Sequence, residues 1–427
     1  MILAKGKLYD NRHQEEILSH LEEEIAETRR TQSLSPETVI AAADRLRQRA
    51  LDGDFHALLA PFLQTGMGPL IQKVLTAMSQ ESLTYRMQVE LGGCPPPIVH
   101  TAPPMGQQGV EIRPVPLGTL LHIAAGNADG LPAYAAAEGL LTGNVNLIKL
   151  PQADSGLSVR LLWELTAMEP ALADFLYVFD TPSEDVAAMK KLASIADGIS
   201  VWGGEEAIRA VRTLAPPGAK LMEWGHRLGF VYISGWENKE EEMKQLAEHI
   251  LSTRQLLCSS CQTIFLDTEK EEALTGFCRE FLPFLEQAAQ KYPFSSMGEA
   301  AEVTLRRLDG ELEGILSGSP LSFFSPSGCC LTICQDEELE LSPMFGSCLV
   351  KALPRQRLFS ALRRSHGVLQ TAGLICQPSH REELTRLLAL AGVSRITRAG
   401  TLSEGFCGEG RDGEFPLRRF LRYVTIE

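Results

Sequence analysis

The sequence predicts an α/β protein built on mostly parallel sheets with helices on both faces. Two observations carry this. From Val115 onward, short apolar runs alternate with helix-length segments, the βαβ rhythm that a parallel sheet with crossover helices requires. The rhythm then restarts near His226. At roughly 100–200 residues per domain, a chain of 427 residues has room for two such units and a smaller third part.

Up to about Leu91 the chain reads as helices joined by polar linkers. Ile17, Leu18, Leu21 and Ile25 recur at helical spacing, with Glu22, Glu23 and Glu24 on the other faces as a solvated run. Pro95-Pro96-Pro97 and Pro103-Pro104 then stop any helix and bracket a short extended segment. Residues 117–123 form a compact apolar strand feeding the loop Ala125-Gly126-Asn127-Ala128-Asp129-Gly130. Pro132 stands near the first turn of an Ala-rich helix that runs to about Leu141 and closes on Thr142-Gly143-Asn144. Strand 145–150, helix 155–168, strand 175–179, helix 184–193 and strand 199–202 follow. Gly203-Gly204 opens another helix, and 220–223 is one more strand end.

The second unit begins with strand 229–233, an amphipathic helix over 239–252, and strand 263–266 ahead of a long helix from Glu271. Residues 293–350, rich in Gly, Ser and Pro, hold weaker elements, including 328–333. At the C-terminus Arg418, Phe420, Arg422, Val424 and Ile426 alternate with their neighbours at period two. This is a terminal strand whose edge calls for pairing, often with a partner subunit.

Composition narrows the function. Lys+Arg 40 against Asp+Glu 54 leaves a net charge of −14, which disfavours general phosphate-backbone binding and so nucleic acid. No apolar run approaches the roughly 20 residues of a membrane span, and the start, MILAKGKLYDNRHQEE, has no secretory h-region. A cytoplasmic protein is expected. Ten cysteines in so long a chain are too sparse for a disulfide scaffold, so most are expected reduced and buried.

Neither a GxGxxG fingerprint nor a GxxxxGK[ST] phosphate loop is present. Several residues nevertheless sit where chemistry is done. Asn127, in the first βα loop, carries an amide able to donate to a developing oxyanion, or it closes an Asx-turn. Lys149 ends an apolar strand, where its ammonium either meets a ligand or snorkels to solvent. Gly203-Gly204 opens a helix whose N–H groups suit a pyrophosphate, or it is simple turn chemistry. Cys258 lies between a helix and a strand. It reads as a nucleophile, a dithiol with Cys261, half of a zinc site lacking its second ligand pair, or an inert core thiol. Glu223 is a candidate base or a salt-bridged carboxylate, and His226 beside it a structural histidine.

Taken in order, these pieces resemble the aldehyde dehydrogenase superfamily, and within it the acyl-CoA reductases of the LuxC type. The run is Ala125-Gly126-Asn127-Ala128-Asp129-Gly130-Leu131-Pro132, then Gly143-Asn144-Val145 to Lys149, then Val201-Trp202-Gly203-Gly204 and Glu223-Trp224-Gly225-His226. Gln255-Leu256-Leu257-Cys258-Ser259-Ser260, followed by Gln262, looks especially like the LuxC-type active-site segment, and Pro343-Met344-Phe345-Gly346 completes the series. The resemblance implies an aldehyde-dehydrogenase-like fold. It places an NAD(P)-binding, Rossmann-like domain at 1–225 with a helical N-terminal part and oligomerisation strands at 97–115. A catalytic domain carrying Cys258 follows at 226–395, and an oligomerisation segment at 396–427.

The same resemblance implies an oxidoreductase acting on an aldehyde or oxo group. Cys258 would take the acyl group from an acyl-CoA, with fatty acyl groups expected, and Asn127 and the Cys258 backbone N–H would hold the oxyanion. NADPH (or NADH) would then release the aldehyde. Lys149 would reach the adenosine ribose, Gly203 and Gly204 the pyrophosphate, and Phe345 the nicotinamide. A homodimer or tetramer and an acyl-activating partner enzyme are further implications. Departures sharpen this. Gln152 stands where NAD-preferring relatives carry Glu, which favours NADPH. Gly204 replaces a Ser, and Pro343 replaces the Glu of oxidising members. Trp224 and His226 break the Glu-Leu-Gly-Gly-Lys wording, which puts Glu223 as a hydrolytic base in doubt. Aldehyde oxidation, acyl-phosphate reduction and a non-catalytic acyl-binding role are the alternatives on the same fold.

Overall fold

A hairpin, not a helix, opens the chain. The computed structural model describes residues 1–64, 68–101, 109–124, 130–152, 154–293, 297–317 and 321–427. In it β1 (Ile2–Ala4) and β2 (Lys7–Tyr9) pair antiparallel around Lys5-Gly6, both at positive φ (49° and 71°). Two positive-φ residues are what a tight hairpin turn needs to match the twist of its strands. This corrects the reading of the whole N-terminal stretch as helical. Helical periodicity sets in at α1 (Gln14–Thr31), which buries Leu18, Leu21 and Ile25. It continues through α2 (Pro36–Leu51), α3 (His56–Gln64), α4 (Gly68–Ala77) and α5 (Gln80–Leu91). Ser35 and Ser79 cap α2 and α5 by accepting from the N–H groups of Thr38 and Ser82, replacing intrahelical partners that a first turn lacks.

The chain divides into two units, Met1–Gly225 with Cys407–Glu427, and His226–Phe406. Residues 396–427, expected as one segment, are thus shared between them. In the first unit β3 (Val99–Thr101) and β4 (Val110–Pro116) form a three-stranded antiparallel sheet with the C-terminal strand Leu421–Ile426. One edge of that terminal strand is therefore satisfied within the chain. It is preceded by a turn of helix, Pro416–Arg419, where the sequence reading began the strand.

The main sheet of the first unit follows from β5 (Thr119–Ile123), α6 (Leu131–Leu141), β6 (Val145–Lys149), α7 (Leu157–Met168), β7 (Leu176–Phe179), α8 (Val186–Ile195), β8 (Gly198–Trp202), α9 (Glu205–Leu214) and β9 (Lys220–Trp224). Its order is β2-β1-β7-β6-β5-β8-β9, and the five strands from β7 to β9 are parallel. The chain grows from β5 to β6 and β7 on one side, then returns to β8 and β9 on the other. The order reverses between β5 and β8, and the carboxyl ends there make the crevice in which open α/β sheets bind ligands.

The second unit runs β10 (Leu228–Ser234), α10 (Lys239–Thr253), β11 (Cys261–Leu266), α11 (Glu271–Lys291), α12 (Met297–Ser317), β12 (Leu321–Phe324), β13 (Cys330–Cys334), β14 (Ser347–Ala352), α13 (Arg355–Arg363), β15 (Leu369–Cys376), α14 (Pro378–Ala391) and β16 (Arg395–Thr397). The order is β12-β13-β14-β11-β10-β15-β16, parallel but for β12. α12 occupies a stretch read as weakly structured; its Glu, Ala and Leu content favours helix and outweighs its three glycines. β10 shows why the unit has two cores. Val231 and Ile233 pack with Leu246 and Phe281 of α10 and α11, whereas Phe230 and Tyr232 pack with Leu358 and Leu384 of α13 and α14, the period-two alternation of a strand covered on both faces. No helix among the described residues is long and apolar enough to cross a membrane.

Candidate functional site

In the second unit the chain leaves α10 through Arg254 and Gln255, both at positive φ (51° and 60°), and turns through 257–259 into β11. Cys258 is exposed at this turn, flanked by exposed Leu256 and Leu257. None of the ten cysteines is disulfide-bonded. Cys261 is buried in the core, and its Sγ donates to the Thr263 carbonyl at 3.7 Å. Cys278, Cys329, Cys330 and Cys376 have thiols pushed up by burial, Cys278 to about 12 and Cys330 to about 11. They are poor nucleophiles for that reason. Phe345 follows Met344 in a second positive-φ turn (64° and 50°), and its N–H donates to the Arg254 carbonyl at 3.2 Å. The structure thus brings together the Cys258 segment and the Phe-Gly segment, 87 residues apart by the Gln255–Ser342 contact.

In the first unit, Asn127 and the rest of 125–129 lie outside the described residues. Lys149, 4% exposed, ends β6, and its Nζ donates to Ser183 Oγ at 3.0 Å. Burial lowers its pKa, and Glu184 and Asp180 partly offset this. A snorkelling lysine would reach bulk water; this ammonium is desolvated, held beside the carboxyl end of β7. Gln152 is exposed. Gly203 and Gly204 lead from β8 into α9, whose first turn has no side-chain cap, and nothing lies within 4 Å of where a Cβ on Gly204 would stand. α6 also starts without a side-chain cap, at Gly130 (φ 83°). Two uncapped helix starts and a desolvated ammonium at the carboxyl ends of one parallel sheet fit the phosphates and ribose of a dinucleotide. Glu205 and Glu206 in the same turn of α9 point into solvent.

Glu223, near the end of β9, is not a free carboxylate. Arg212 donates to both of its oxygens at 2.6 Å, and that pairing holds its carboxyl below the usual range. His226 is exposed.

A family model described as acyl-CoA reductase (LuxC) matches residues 32–423. The chain belongs to that family. Among curated relatives it is 22% identical over 321 residues to a long-chain acyl-protein thioester reductase of Vibrio harveyi, and 26% identical over 325 residues to long-chain acyl-protein thioester reductase 2 of Photobacterium leiognathi. Each alignment covers 74% of this chain and 65% of the relative, so the chain spans just under two thirds of their length. Among solved structures it superposes on an NAD-dependent aldehyde dehydrogenase from Sinorhizobium meliloti (TM-score 0.72, 12% identity, 100% of this chain and 94% of that one). It also matches an NAD-dependent benzaldehyde dehydrogenase from Corynebacterium glutamicum (TM-score 0.65, 12% identity, 98% and 91%). The fold is that of the aldehyde dehydrogenases, as the order of motifs implied.

Within this LuxC-family fold, two clusters escaped the sequence reading. One is the set of buried polar side chains behind Cys258, Gln255 and Gln262 with Ser342. Glutamines at both ends of an apolar Leu-Leu-Cys-Ser-Ser-Cys segment were the available signal. The other lies in the first unit. Arg411 donates to both Glu138 oxygens (3.0 and 2.7 Å), and its guanidinium lies over the rings of Trp202 (4.4 Å) and Trp224 (5.3 Å). Arg86 reaches the same Glu138 at 2.6 Å and Glu90 at 2.6 Å. Burial pushes the Glu138 carboxyl up, but the two guanidinium groups outweigh it and hold it at about 2. Arg411 therefore buttresses the two tryptophans that end β8 and β9, one of them immediately before Gly203.

Proposed function

We propose that this chain reduces an acyl thioester to an aldehyde through an acyl-enzyme on Cys258. The observation that carries the reading is the thiol itself. Among the cysteines of the second unit, Cys258 alone is exposed, at a turn hydrogen-bonded to the Phe345 segment, in a chain of the LuxC family. Sγ attacks the thioester carbonyl, the acyl–Sγ bond forms, the bond to the departing thiol breaks, and the proton of the Cys258 thiol leaves with it. The Asn127 amide and the Cys258 N–H stabilise the oxyanion of that step. A reduced dinucleotide, when bound, would supply the hydride that converts the acyl group to an aldehyde, and the Cys258 thiolate so released would take its proton from solvent. Lys149 would hold the ribose, the Gly203-Gly204 turn the pyrophosphate, and Phe345 the nicotinamide ring.

The Arg212 pairing leaves Glu223 a weak base, which suits an enzyme that must not hydrolyse its own acyl-enzyme. NADPH is the proposed reductant because Gln152 puts no negative charge against a 2′-phosphate. A long acyl group is the proposed substrate, as CoA or carrier thioester, with an acyl-activating enzyme as partner. The proposed setting is a cytoplasmic dimer or tetramer joined through the three-stranded sheet. Intact-mass spectrometry after incubation with a mixed acyl-CoA pool and no dinucleotide tests the core of this. Acyl adducts are expected on the wild type and absent from Cys258→Ala, and an unmodified wild type would refute it.

A further inference from the structure

The Cys258 turn is held by one buried amide. Arg254 and Gln255 are left-handed, and so are Met344, Phe345 and Gly346 (φ 64°, 50° and 84°), conformations that side-chain-bearing residues adopt only when the surroundings impose them. Gln255, 1% exposed, supplies that imposition. Its Nε2 lies 2.7 Å from the Cys261 carbonyl, 2.8 Å from the Ser347 carbonyl and 3.1 Å from Ser342 Oγ, and its Oε1 accepts from the Gly346 N–H at 2.9 Å. Gln262 doubles the tie. Its Nε2 donates to the Gln255 carbonyl at 2.8 Å, and its Oε1 accepts from Ser342 Oγ at 2.7 Å. Two amides and one hydroxyl therefore bind both ends of the thiol turn to the Phe345 turn. A buried amide with its donors and acceptor engaged is rigid, because any motion leaves a polar group unpaired.

We propose that Gln255, supported by Gln262 and Ser342, is the positioning residue of Cys258. It touches no substrate, and it fixes the turn so that the thiol and the backbone N–H of Cys258 converge on one carbonyl. The proposal rests on the reading of Cys258 as the acylated nucleophile. Acyl transfer needs thiol and oxyanion donor aligned together, whereas alkylation by a small reagent needs only an accessible thiolate. A merely structural glutamine would affect both reactions alike.

The test uses the full chain and the variants Gln255→Met, Gln262→Met and Ser342→Ala. Adduct formation from tetradecanoyl-CoA is timed by intact mass, and iodoacetamide labelling of Cys258 is timed from about pH 6 to 9. The expected result is acyl transfer slowed about tenfold or more, with alkylation and its pH midpoint unchanged within about twofold. Equal loss of both rates, or no loss of either, overturns the proposal. Ser342→Ala removes a single hydroxyl and carries the test if Gln255→Met does not fold. A wild type that alkylates but accepts no acyl group overturns the Cys258 reading itself, which is a separate outcome.

Discussion

His122 ties the stability of the first unit to pH. It is fully buried on β5, its Nε2 donates to Asn146 Oδ1 at 3.0 Å, and its Nδ1 has no partner. The Asn146 amide is committed elsewhere, since its Nδ2 donates to the Asn144 carbonyl at 2.8 Å. A proton can therefore arrive only on Nδ1, where no acceptor meets it. Burial pulls the pKa from 6.5 to about 4, and the Asn146 bond offsets only part of that. The folded value lies below the unfolded one. The contribution is thus complete above about pH 6.5 and is lost as the pH falls from 6.5 toward 4. At about 1.4 kcal/mol per pH unit the whole window is worth roughly 3 kcal/mol, of which about 2 kcal/mol is gone by about pH 4.5.

Urea unfolding followed by tryptophan fluorescence reads this directly, because Trp163, Trp202 and Trp224 lie in the first unit and only Trp236 in the second. His122→Gln keeps an amide toward Asn146 and does not titrate. Wild type is expected to lose about 2 kcal/mol more than this variant between about pH 7 and 4.5. Parallel losses would show that His122 finds an acceptor or is already hydrated, and the reasoning would fail.

Three further outcomes are expected. Arg411→Met leaves Glu138 with Arg86 alone and its buried Oε2 without a partner; the first unit should lose about 2–4 kcal/mol in the same urea assay, and an unchanged midpoint would deny the buttress any energetic weight. Glu223→Gln should reduce steady-state aldehyde formation less than about threefold, because the carboxylate is already spoken for by Arg212; a loss of a hundredfold or so would restore it as a working base. If Gln152 faces the ribose as proposed, Gln152→Glu puts a charge against the 2′-phosphate, so fluorescence titration should show NADPH binding weakened about fivefold with NADH little affected, and equal effects on both would remove Gln152 from that role.

How much was legible depended on whether the signal was local. The five parallel strands of the first sheet were, because buried strands are short apolar runs bounded by turn residues, as at 145–149; in the second sheet only 229–233, 263–266 and the element at 328–333 were read, and β12, β14, β15 and β16 were missed. The division near residue 225 was visible as a restart of the rhythm. The N-terminal hairpin was missed because three-residue strands are too short to show periodicity, and its one cue was Lys5-Gly6. α12 was missed because glycines in a polar context read as linker. Of the proposed site, the order Asn127, Lys149, Gly203-Gly204, Cys258, Phe345 stood in the sequence as motifs. The pairing of Glu223 with Arg212 could be reached only through the fold, since it joins a helix to the following strand. The same holds for Gln255, whose partners lie 87 and 92 residues away, and for Arg411, 273 residues from Glu138.

That last separation shapes how the molecule is made. The second unit is an uninterrupted stretch, His226–Phe406, inserted into a first unit that needs residues 407–427. During synthesis, Glu138 waits 273 residues for Arg411, and the edge of β4 waits more than 300 residues for the strand Leu421–Ile426. The inserted unit has all its strands in hand before then and is free to fold first. The closing of the first unit is then the late, long-range event, and the one in which loop closure across the whole insert must be met. A ribosome stalled before residue 407 would hold a folded second unit and a first unit whose β4 edge is still unpaired, a form exposed to edge-to-edge aggregation.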